Sequence, residues 1–261
     1  MVPVVSQVLV LCYHAVSETW PAATSVRPGD LSAQLRMLAR RGYHGATLLD
    51  ALTAPKGDRT VAVTFDDAHR SVLDLARPVL DEVGFPATVF VPTDYAGTDT
   101  PMGWEGYDRW LGTDHEPELR CLSWDQLIEL QDAGWEIGSH TCSHPHLTQV
   151  TDEELERELL ESRRACETQT GRPCVSFAYP YSDQDDRTVE ATRRAGYGIA
   201  VTVGHGCEPP MPLRWPRVAV FNGNSPGRVQ GRLLRARHPL FDTGAREVLR
   251  LVRAARSPLD W

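Results

Sequence analysis

Two groups of residues in this 261-residue sequence carry side chains suited to acid–base chemistry or metal binding. The first is the acid pair Asp66 and Asp67, which follows the apolar run 60–65. Neighbouring strand residues point to opposite faces, but the turn at a strand end can bring both carboxylates to one site. One acid could then bind a metal while the other acts as a base. A helix N-cap is the alternative interpretation, and the pair alone does not decide between the two.

The second group is a cluster of three histidines, His140, His144 and His146. His140 and His144 have a spacing that can place two imidazoles on one side of a helical turn as a metal pair. The cluster follows a predicted strand at 135–138, and catalytic groups of α/β barrels gather at the carboxyl ends of strands. His146 fits a supporting or surface position as well as it fits a ligand.

Apolar runs alternate with helical patterns along the chain. The runs predict strands at 8–13, 60–65, 87–91, 135–138, 175–179, 199–203 and 217–220. Apolar spacing and glycine stops predict helices near 31–41, 71–83, 124–133, 152–165 and 188–195. Asp30, Ser123 and Thr151 are the expected N-caps, the last in a capping box with Glu154. Strands joined by helices of this length indicate right-handed βαβ units and a mostly parallel sheet in one domain.

The composition is that of a globular protein and restricts its function. Apolar residues make up 41% of the chain, and 27 basic residues against 35 acidic ones give a net charge of −8. Nucleic-acid binding requires a basic surface, so we expect no nucleic-acid partner. The six cysteines include no CxxC pair, and we expect free thiols in a reducing compartment.

The amino terminus decides the expected location. Its first residues are apolar but lack the basic region and the small-residue cleavage site of a signal peptide. No run reaches the ~20 apolar residues that a membrane helix needs. We therefore predict no membrane partner and a cytoplasmic location, unless a leader was removed from the chain, in which case the protein is secreted.

The two groups, together with a third stretch, resemble a known family. TFDD at 64–67, HTCSH at 140–144 and AYPY at 178–181 in combination are similar to the polysaccharide deacetylases, carbohydrate esterase family four. The resemblance extends through YHAV near the start and LSWDQLIELQDAGWEIGSHT, and covers residues 8 to about 220. It is strongest to the biofilm-polysaccharide deacetylase subgroup, which looks circularly permuted.

The resemblance implies a fold, a cofactor and a set of site residues. The fold is α/β, a distorted (β/α) barrel of about seven parallel strands with a core at about 8–220. The pattern along the chain, apart from the resemblance, predicts a single domain, 1–261, with a helical tail at 221–261. The cofactor is Zn²⁺, with Co²⁺, Ni²⁺ or Fe²⁺ as alternatives, bound by Asp67, His140 and His144. Asp66 is the implied general base. Tyr181 is matched to the turn whose backbone N–H binds the oxyanion, and its ring is expected to wall the groove.

Two positions depart from the family pattern in the region of the base. The family arginine that orients the base is replaced by Ala178, although the biofilm-type subgroup has the same FAYPY sequence. Arg217 is our candidate to replace that arginine, and a surface salt bridge is the equally weighted alternative. Ala68 follows TFDD where glycine is commoner, a minor change for the turn.

A third departure concerns the general acid. The family places a histidine within LxLH near the carboxyl terminus, and this sequence has LCYH at 11–14 instead. The first and last strands of a closed barrel are neighbours, so a permuted chain can supply the same strand from its amino terminus. His14 is the expected acid, suited to the role near neutral pH. The alternative is that His14 only packs under the metal site, and His205 and His238 are the next candidates.

The long connection 93–120 contains three aromatic residues, Trp104, Tyr107 and Trp110. Loops of this length are often lids or binding walls, and aromatic faces suit sugar rings, but simple loop packing is the alternative. His69 and Asp183 follow two of the motifs and are further candidates for the same cleft.

These observations predict a metal-dependent amide hydrolase that removes N-acetyl groups from an N-acetylated amino sugar, in a glycan or a sugar-bearing small molecule. The alternatives are a hydrolase of another linear or cyclic amide and a non-catalytic carbohydrate-binding relative. The retained Asp66, Asp67, His140 and His144 argue against the binding relative. The sequence leaves the oligomeric state open.

Overall fold

The computed structural model describes residues 7–55, 59–203, 211–235, 238–239, 248 and 250–254. Its strands are β1 (Gln7–Tyr13), β2 (Ala15–Val16), β3 (Ser25–Val26), β4 (His44–Ala46), β5 (Arg59–Phe65), β6 (Ala87–Val91), β7 (Glu136–Ser139), β8 (Ser176–Ala178), β9 (Ile199–Val203), β10 (Trp215–Ala219) and β11 (His238–Pro239). Its helices are α1 (Pro28–Arg40), α2 (Leu48–Thr53), α3 (Arg77–Val83), α4 (Trp124–Asp132), α5 (Asp152–Thr170), α6 (Asp186–Arg194) and α7 (Pro226–Arg235).

Seven of the strands close into a parallel barrel. Their order around the barrel is β1, β5, β6, β7, β8, β9 and β10, and β10 pairs again with β1. In the closing pair Leu11 lies opposite Val218, and on the other side of β1 Cys12 lies opposite Thr64. The predicted α/β barrel of about seven parallel strands is confirmed, as is the expectation that the first strand of the chain neighbours the last strand of the barrel.

Alternation along each strand divides the apolar side chains between two cores. Val8 and Val10 of β1 cluster with Ala62, Phe90 and other residues inside the barrel. Leu9, Leu11 and the apolar faces of the helices form the larger outer core. Every second residue of a strand faces the same side. The face of β5 that contains Ala62 and Thr64 therefore points into the barrel, and Asp66 continues this face at the carboxyl end of the strand.

The helix boundaries follow the predicted caps with two corrections. Ser123 and Thr151 each form a complete capping box, as expected. Asp30 is not an N-cap: α1 begins at Pro28 after Arg27, and Asp30 lies in its first turn, where a negative charge favours the helix dipole. The helix predicted at 71–83 is in two parts, a π-helical turn at Val72–Ala76 followed by α3.

The region after the barrel contains a short strand as well as helix, and the helical tail at 221–261 stays a prediction. Within 221–261, α7 is followed by β11, which pairs antiparallel with the start of β1. The domain limits 1–261 and 8–220 stay a prediction. The sequence patterns also missed the short elements β4 and α2.

Five of the six cysteines fall within the described residues, and all five are free and buried. Cys207 lies outside those ranges. Among the helices of the described part of the chain, none has both the length and the apolar character needed to cross a bilayer.

We predict that Gly138→Ala destabilises the barrel, because a Cβ at this β7 position would lie 2.6 Å from the Phe90 ring and 2.7 Å from Ser176 Oγ. Overpacking of this kind costs about 1–3 kcal/mol. Gly29→Ala in α1 is the matched control, since a Cβ there meets nothing within 4 Å. Urea unfolding measures both variants, and equal stability of the two would contradict the prediction.

Candidate active site

Six non-glycine residues of the described chain have a positive φ, and all six lie in the three loops that follow β5, β7 and β8. They are Asp67, Ala68, Thr141, His144, Tyr181 and Ser182, with φ between 48° and 67°. Each such residue costs of order 1–3 kcal/mol and persists only where the surroundings enforce it. Strain of this kind clusters at functional sites, and these loops meet at the carboxyl end of the barrel.

Asp67, His140 and His144 converge at this end. Asp67 Oδ1 lies 3.4 Å from His140 Nε2 and 3.5 Å from His144 Nε2. All three side chains are buried. His140 Nδ1 donates a hydrogen bond of 2.8 Å to the Ala178 carbonyl, which directs Nε2 towards Asp67. The turn at Asp67, with φ 67°, is what brings a second carboxylate of the pair to the site.

The donor atoms of this triad fit a divalent cation. Tetrahedral bonds of about 2.0–2.1 Å separate two donors by about 3.4 Å, which matches the spacing of Asp67 Oδ1 from the two imidazole nitrogens. Asp67 Oδ1 is buried and accepts no hydrogen bond of good geometry. One carboxylate and two imidazoles also leave a coordination position open, as in catalytic metal sites.

The electrostatics of the triad keep Asp67 ionised and His144 neutral. Burial alone would raise the pKa of Asp67, but the imidazoles of His140 and His69 hold that pKa well below its usual value. Burial and the neighbouring His140 lower the pKa of His144 to about 3, so the His144 ring is neutral. Neutral imidazole and ionised carboxylate are the forms that bind a metal.

Asp66 is held by Arg217 in a buried bidentate ion pair. Arg217 Nη1 donates to Oδ1 at 2.6 Å and Nη2 donates to Oδ2 at 2.7 Å. Burial alone would raise the pKa of Asp66, but the guanidinium lowers it to about 2. The Arg217 side chain is 1% exposed, so the alternative of a surface salt bridge does not apply.

A second group of possible ligands, Cys12, His14 and Asp66, lies beside the triad. Both oxygens of Asp66 already accept hydrogen bonds from Arg217, and Cys12 Sγ donates to Oδ2 at 3.4 Å. A cation bound here would face the guanidinium directly. Repulsion between like charges therefore favours the Asp67 group as the metal centre.

His14 lies at the end of β1 beside the acid pair. Its Nε2 is 4.0 Å from Asp66 Oδ2, its side chain is 19% exposed, and it lines the cleft. Burial lowers its pKa, and the neighbouring carboxylates of Asp67 and Asp66 oppose that shift. His238 pairs with Val8 at the opposite end of β1, roughly 20 Å away at ~3.3 Å per residue, which removes it as an alternative acid. His205 lies outside the described residues.

Tyr181 forms one rim of the cleft, and His146 stacks on it. Their rings stack with centroids 3.9 Å apart, and the Tyr181 ring meets His144 edge-on. His146 Nε2 lies 3.3 Å from Glu105 Oε2, and His146 Nδ1 lies 3.6 Å from Asp183 Oδ2. His146 therefore occupies a supporting position outside the Asp67 group. Asp183 accepts hydrogen bonds from Thr148 and reaches the cleft only through His146.

The long loop forms the opposite wall of a cleft of about 620 Å³. Trp104 stacks on the His144 ring with centroids 4.0 Å apart, and the Tyr107 hydroxyl donates to Asp67 Oδ2 at 2.8 Å. Trp110 instead packs edge-on against Trp20. His69 is fully buried against Tyr107 rather than open to the cleft.

Comparisons with known proteins identify relatives of this chain. The sequence profile described as polysaccharide deacetylase matches residues 53–200, more than half of the chain. The chain belongs to the polysaccharide deacetylase family. YxkH of Bacillus subtilis, which is named for the same family, is 25% identical over 202 residues, covering 76% of this chain and 64% of that protein.

Two further relatives extend the comparison. The poly-beta-1,6-N-acetyl-D-glucosamine N-deacetylase of Staphylococcus epidermidis is 25% identical over 175 residues, covering 63% of this chain and 55% of that protein. The crystal structure of BC0361, a polysaccharide deacetylase from Bacillus cereus, has a TM-score of 0.73 at 25% identity and covers 88% of this chain and 69% of that chain. The chain thus spans less than two thirds of the length of the two curated relatives.

The departures from the polysaccharide deacetylase pattern have a structural explanation. Ala178 has no charged side chain to reach the base, and Arg217 supplies a guanidinium to Asp66 from β10 instead. Ala68 adopts φ 48°, the left-handed conformation for which the commoner glycine is suited. The turn keeps its shape because Ala68 is fully buried and its carbonyl accepts from the Leu122 backbone N–H at 2.8 Å.

Glu158 on α5 shapes the histidine loop and was missed in the sequence. Its carboxylate is buried and accepts from the backbone N–H of Cys142 at 2.7 Å, the N–H of Ser143 at 2.9 Å and the Ser143 hydroxyl at 2.8 Å. A signal was present in the sequence, because Glu158 lies between Leu155 and Leu159 on the buried face of a helix, where an unpaired acid is rare.

We predict that Glu158→Ala lowers the free energy of unfolding by about 2–4 kcal/mol, because each buried donor left unpaired costs roughly 1–3 kcal/mol. Glu161→Ala is the matched control, because Glu161 is an exposed acid on the same helix. This substitution should change the free energy of unfolding little. Urea unfolding of the metal-free proteins compares them. If the two variants were equally stable, Glu158 would not be the residue that holds the loop.

Proposed function

We propose that this protein is a metal-dependent amide hydrolase that removes N-acetyl groups from an N-acetylated amino sugar. One observation carries the proposal: Asp67 Oδ1 faces two imidazole nitrogens at 3.4 Å and 3.5 Å, with the ionised Asp66 beside it. Membership of the polysaccharide deacetylase family supports the reaction type. The name of the Staphylococcus epidermidis relative supports a poly-N-acetylglucosamine substrate.

Zn²⁺ is the proposed metal, since one carboxylate oxygen and two imidazole nitrogens are its common ligands in hydrolases. Asp67, His140 and His144 would hold it. The bound ion would polarise the amide carbonyl and lower the pKa of a water molecule in the open position. Co²⁺, Ni²⁺ and Fe²⁺ use the same donor types and are the alternatives.

The protein's own side chains handle the two protons of the reaction. Asp66 takes the proton of the attacking water on its carboxylate, and Arg217 keeps that carboxylate in a fixed orientation through two hydrogen bonds. His14, in its imidazolium form, gives the Nε2 proton to the leaving amine nitrogen and becomes neutral, and the proton taken by Asp66 restores the balance. Water and the amide are thereby converted to acetate and a free amine, with the C–N bond broken and a C–O bond formed.

The walls of the cleft supply an oxyanion donor and flat surfaces for a sugar. The turn at Pro180–Ser182 carries the backbone N–H of Tyr181, which we propose donates to the developing oxyanion. The rings of Trp104 and Tyr181 line the cleft and offer flat faces to a sugar ring. The cleft is open to solvent along this side, since the Tyr181 residue is 39% exposed, and this suits a chain of linked sugars.

We expect the wild-type protein to release acetate from β-1,6-linked N-acetylglucosamine oligomers, and Asp66→Asn to lose ~10²–10⁴-fold in turnover while keeping its metal. The loss follows because asparagine keeps the shape of the residue but accepts no proton. Acetate release and metal content are measured together, with chelator treatment as a negative control. Asp132→Asn, an exposed position at the end of α4, is the matched variant and should be fully active.

Different results would redirect the proposal. Full activity of Asp66→Asn would move the base elsewhere. A metal-loaded protein that opens other linear or cyclic amides but no acetylated sugar would favour the second hydrolase interpretation. A protein inactive on every amide would favour the binding relative.

We expect His14→Ala to slow hydrolysis of the N-acetyl amide by ~10²-fold or more, and to affect an activated aryl ester much less. The ester's phenolate leaves without a proton, whereas the amine does not. Rates on both substrates are compared with those of His44→Ala, an exposed histidine on β4. Equal losses on the amide and the ester would mean that His14 packs under the site or binds substrate instead.

A further inference from the structure

Asp67 offers only one of its two oxygens to the histidine pair. The other oxygen, Oδ2, accepts a hydrogen bond of 2.8 Å from the Tyr107 hydroxyl. Tyr107 comes from the long loop, is 6% exposed, and belongs to none of the family motifs in the sequence. The carboxylate is therefore held from the side opposite to the metal ligands by a residue that motif matching does not identify.

The Tyr107 hydroxyl is itself fixed by a second buried side chain. His69 Nε2 lies 3.0 Å from this hydroxyl, and His69 Nδ1 lies 2.9 Å from the Glu118 carbonyl oxygen. The His69 ring also packs edge-on against the Tyr107 ring at 5.4 Å. With both of its ring nitrogens engaged and no exposed surface, His69 leaves the phenol little freedom to rotate.

The orientation of Asp67 depends on this contact. A carboxylate turns readily about its terminal torsion, which is broad rather than staggered. A hydrogen bond at Oδ2 removes that freedom and leaves Oδ1 directed at His140 and His144. Side chains that hydrogen-bond to a metal ligand, without touching the metal, orient that ligand. Their loss typically costs 10–100-fold in metal affinity.

The surrounding loop is packed against the same centre, which keeps Tyr107 in place. Trp104 stacks on the His144 ring at 4.0 Å and on the Tyr107 ring at 5.5 Å. The Tyr107 backbone N–H donates to the Trp104 carbonyl at 2.9 Å. The loop thus contacts a carboxylate ligand and an imidazole ligand at once.

We infer that Tyr107 is a positioning residue of the metal centre, which fixes Asp67 through Oδ2 so that Oδ1 stays available to the cation, with His69 as its support. The inference rests on the proposed function, because it concerns the metal that the function requires. It assigns the long loop a part in metal binding, in addition to its part in the cleft wall.

The test measures metal affinity directly, by competition with a chromophoric chelator for Zn²⁺. Tyr107→Phe keeps the buried ring and removes only the hydroxyl, and we expect it to bind Zn²⁺ 10–100-fold more weakly than the wild type. Tyr95→Phe is the matched control, since it removes a hydroxyl from the same loop, and its affinity should stay within twofold. The d–d absorption spectrum of the Co²⁺-loaded protein should change in Tyr107→Phe and not in Tyr95→Phe.

A second variant keeps the test decisive if Tyr107→Phe is unstable. His69→Gln should also weaken Zn²⁺ binding, and thermal unfolding of each metal-free variant checks that the fold is intact. Wild-type affinity and an unchanged Co²⁺ spectrum in a folded Tyr107→Phe or His69→Gln would overturn the inference. Failure of the wild type itself to bind Zn²⁺, with Asp67→Ala as the reference for a lost ligand, would overturn the proposed function instead.

Discussion

Two adjacent carboxylates, both nearly inaccessible to water, place two negative charges at the carboxyl end of β5, and the site is arranged around their compensation. Burying an ionised carboxylate is costly unless a charge or hydrogen bonds replace the lost water. Asp66 obtains a guanidinium from β10, in a pair that forms two short hydrogen bonds. Asp67 has no guanidinium partner among the described residues; it accepts a hydrogen bond from the Tyr107 hydroxyl and lies beside the imidazoles of His140, His144 and His69. The two adjacent carboxylates are therefore compensated in different ways, and a cation bound beside Asp67 would add to its compensation.

The backbone is under strain where these charges are presented. Asp67 and His144 both adopt left-handed conformations that carry a cost for residues with a Cβ. That cost is offset by contacts made outside the Asp67, His140 and His144 group: Glu158 binds the backbone of the histidine loop from α5, and Leu122 binds the backbone of the turn after Asp67. Helix α5 and the connection that ends at Leu122 thus help to fix the positions of Asp67, His140 and His144, although none of these three residues belongs to them.

The sequence predicts the parts of this arrangement that are local. All seven barrel strands follow from apolar runs of the correct length, and Asp66, Asp67, His140 and His144 stand out because each group follows such a run. Tyr107 and His69 could be named only as candidates for the cleft, and Glu158 not at all, because their partners are 15 to 40 residues away and their side chains are common in loops and helices. Arg217 could be suggested but not decided, since a partner 151 residues away is visible only once the barrel closes.

The closure of the barrel has a consequence for the order of folding. The strand that brings the guanidinium to Asp66 is the last of the seven to be synthesised, and it docks beside the first. A growing chain that has been synthesised as far as β9 contains both carboxylates but lacks Arg217, the counter-charge of Asp66. It also lacks β10, the strand that pairs with the second edge of β1. Synthesis proceeds from the amino terminus, so both carboxylates are made before the guanidinium that pairs with Asp66. Closure of the barrel by β10 and formation of the Asp66–Arg217 pair are therefore the same event.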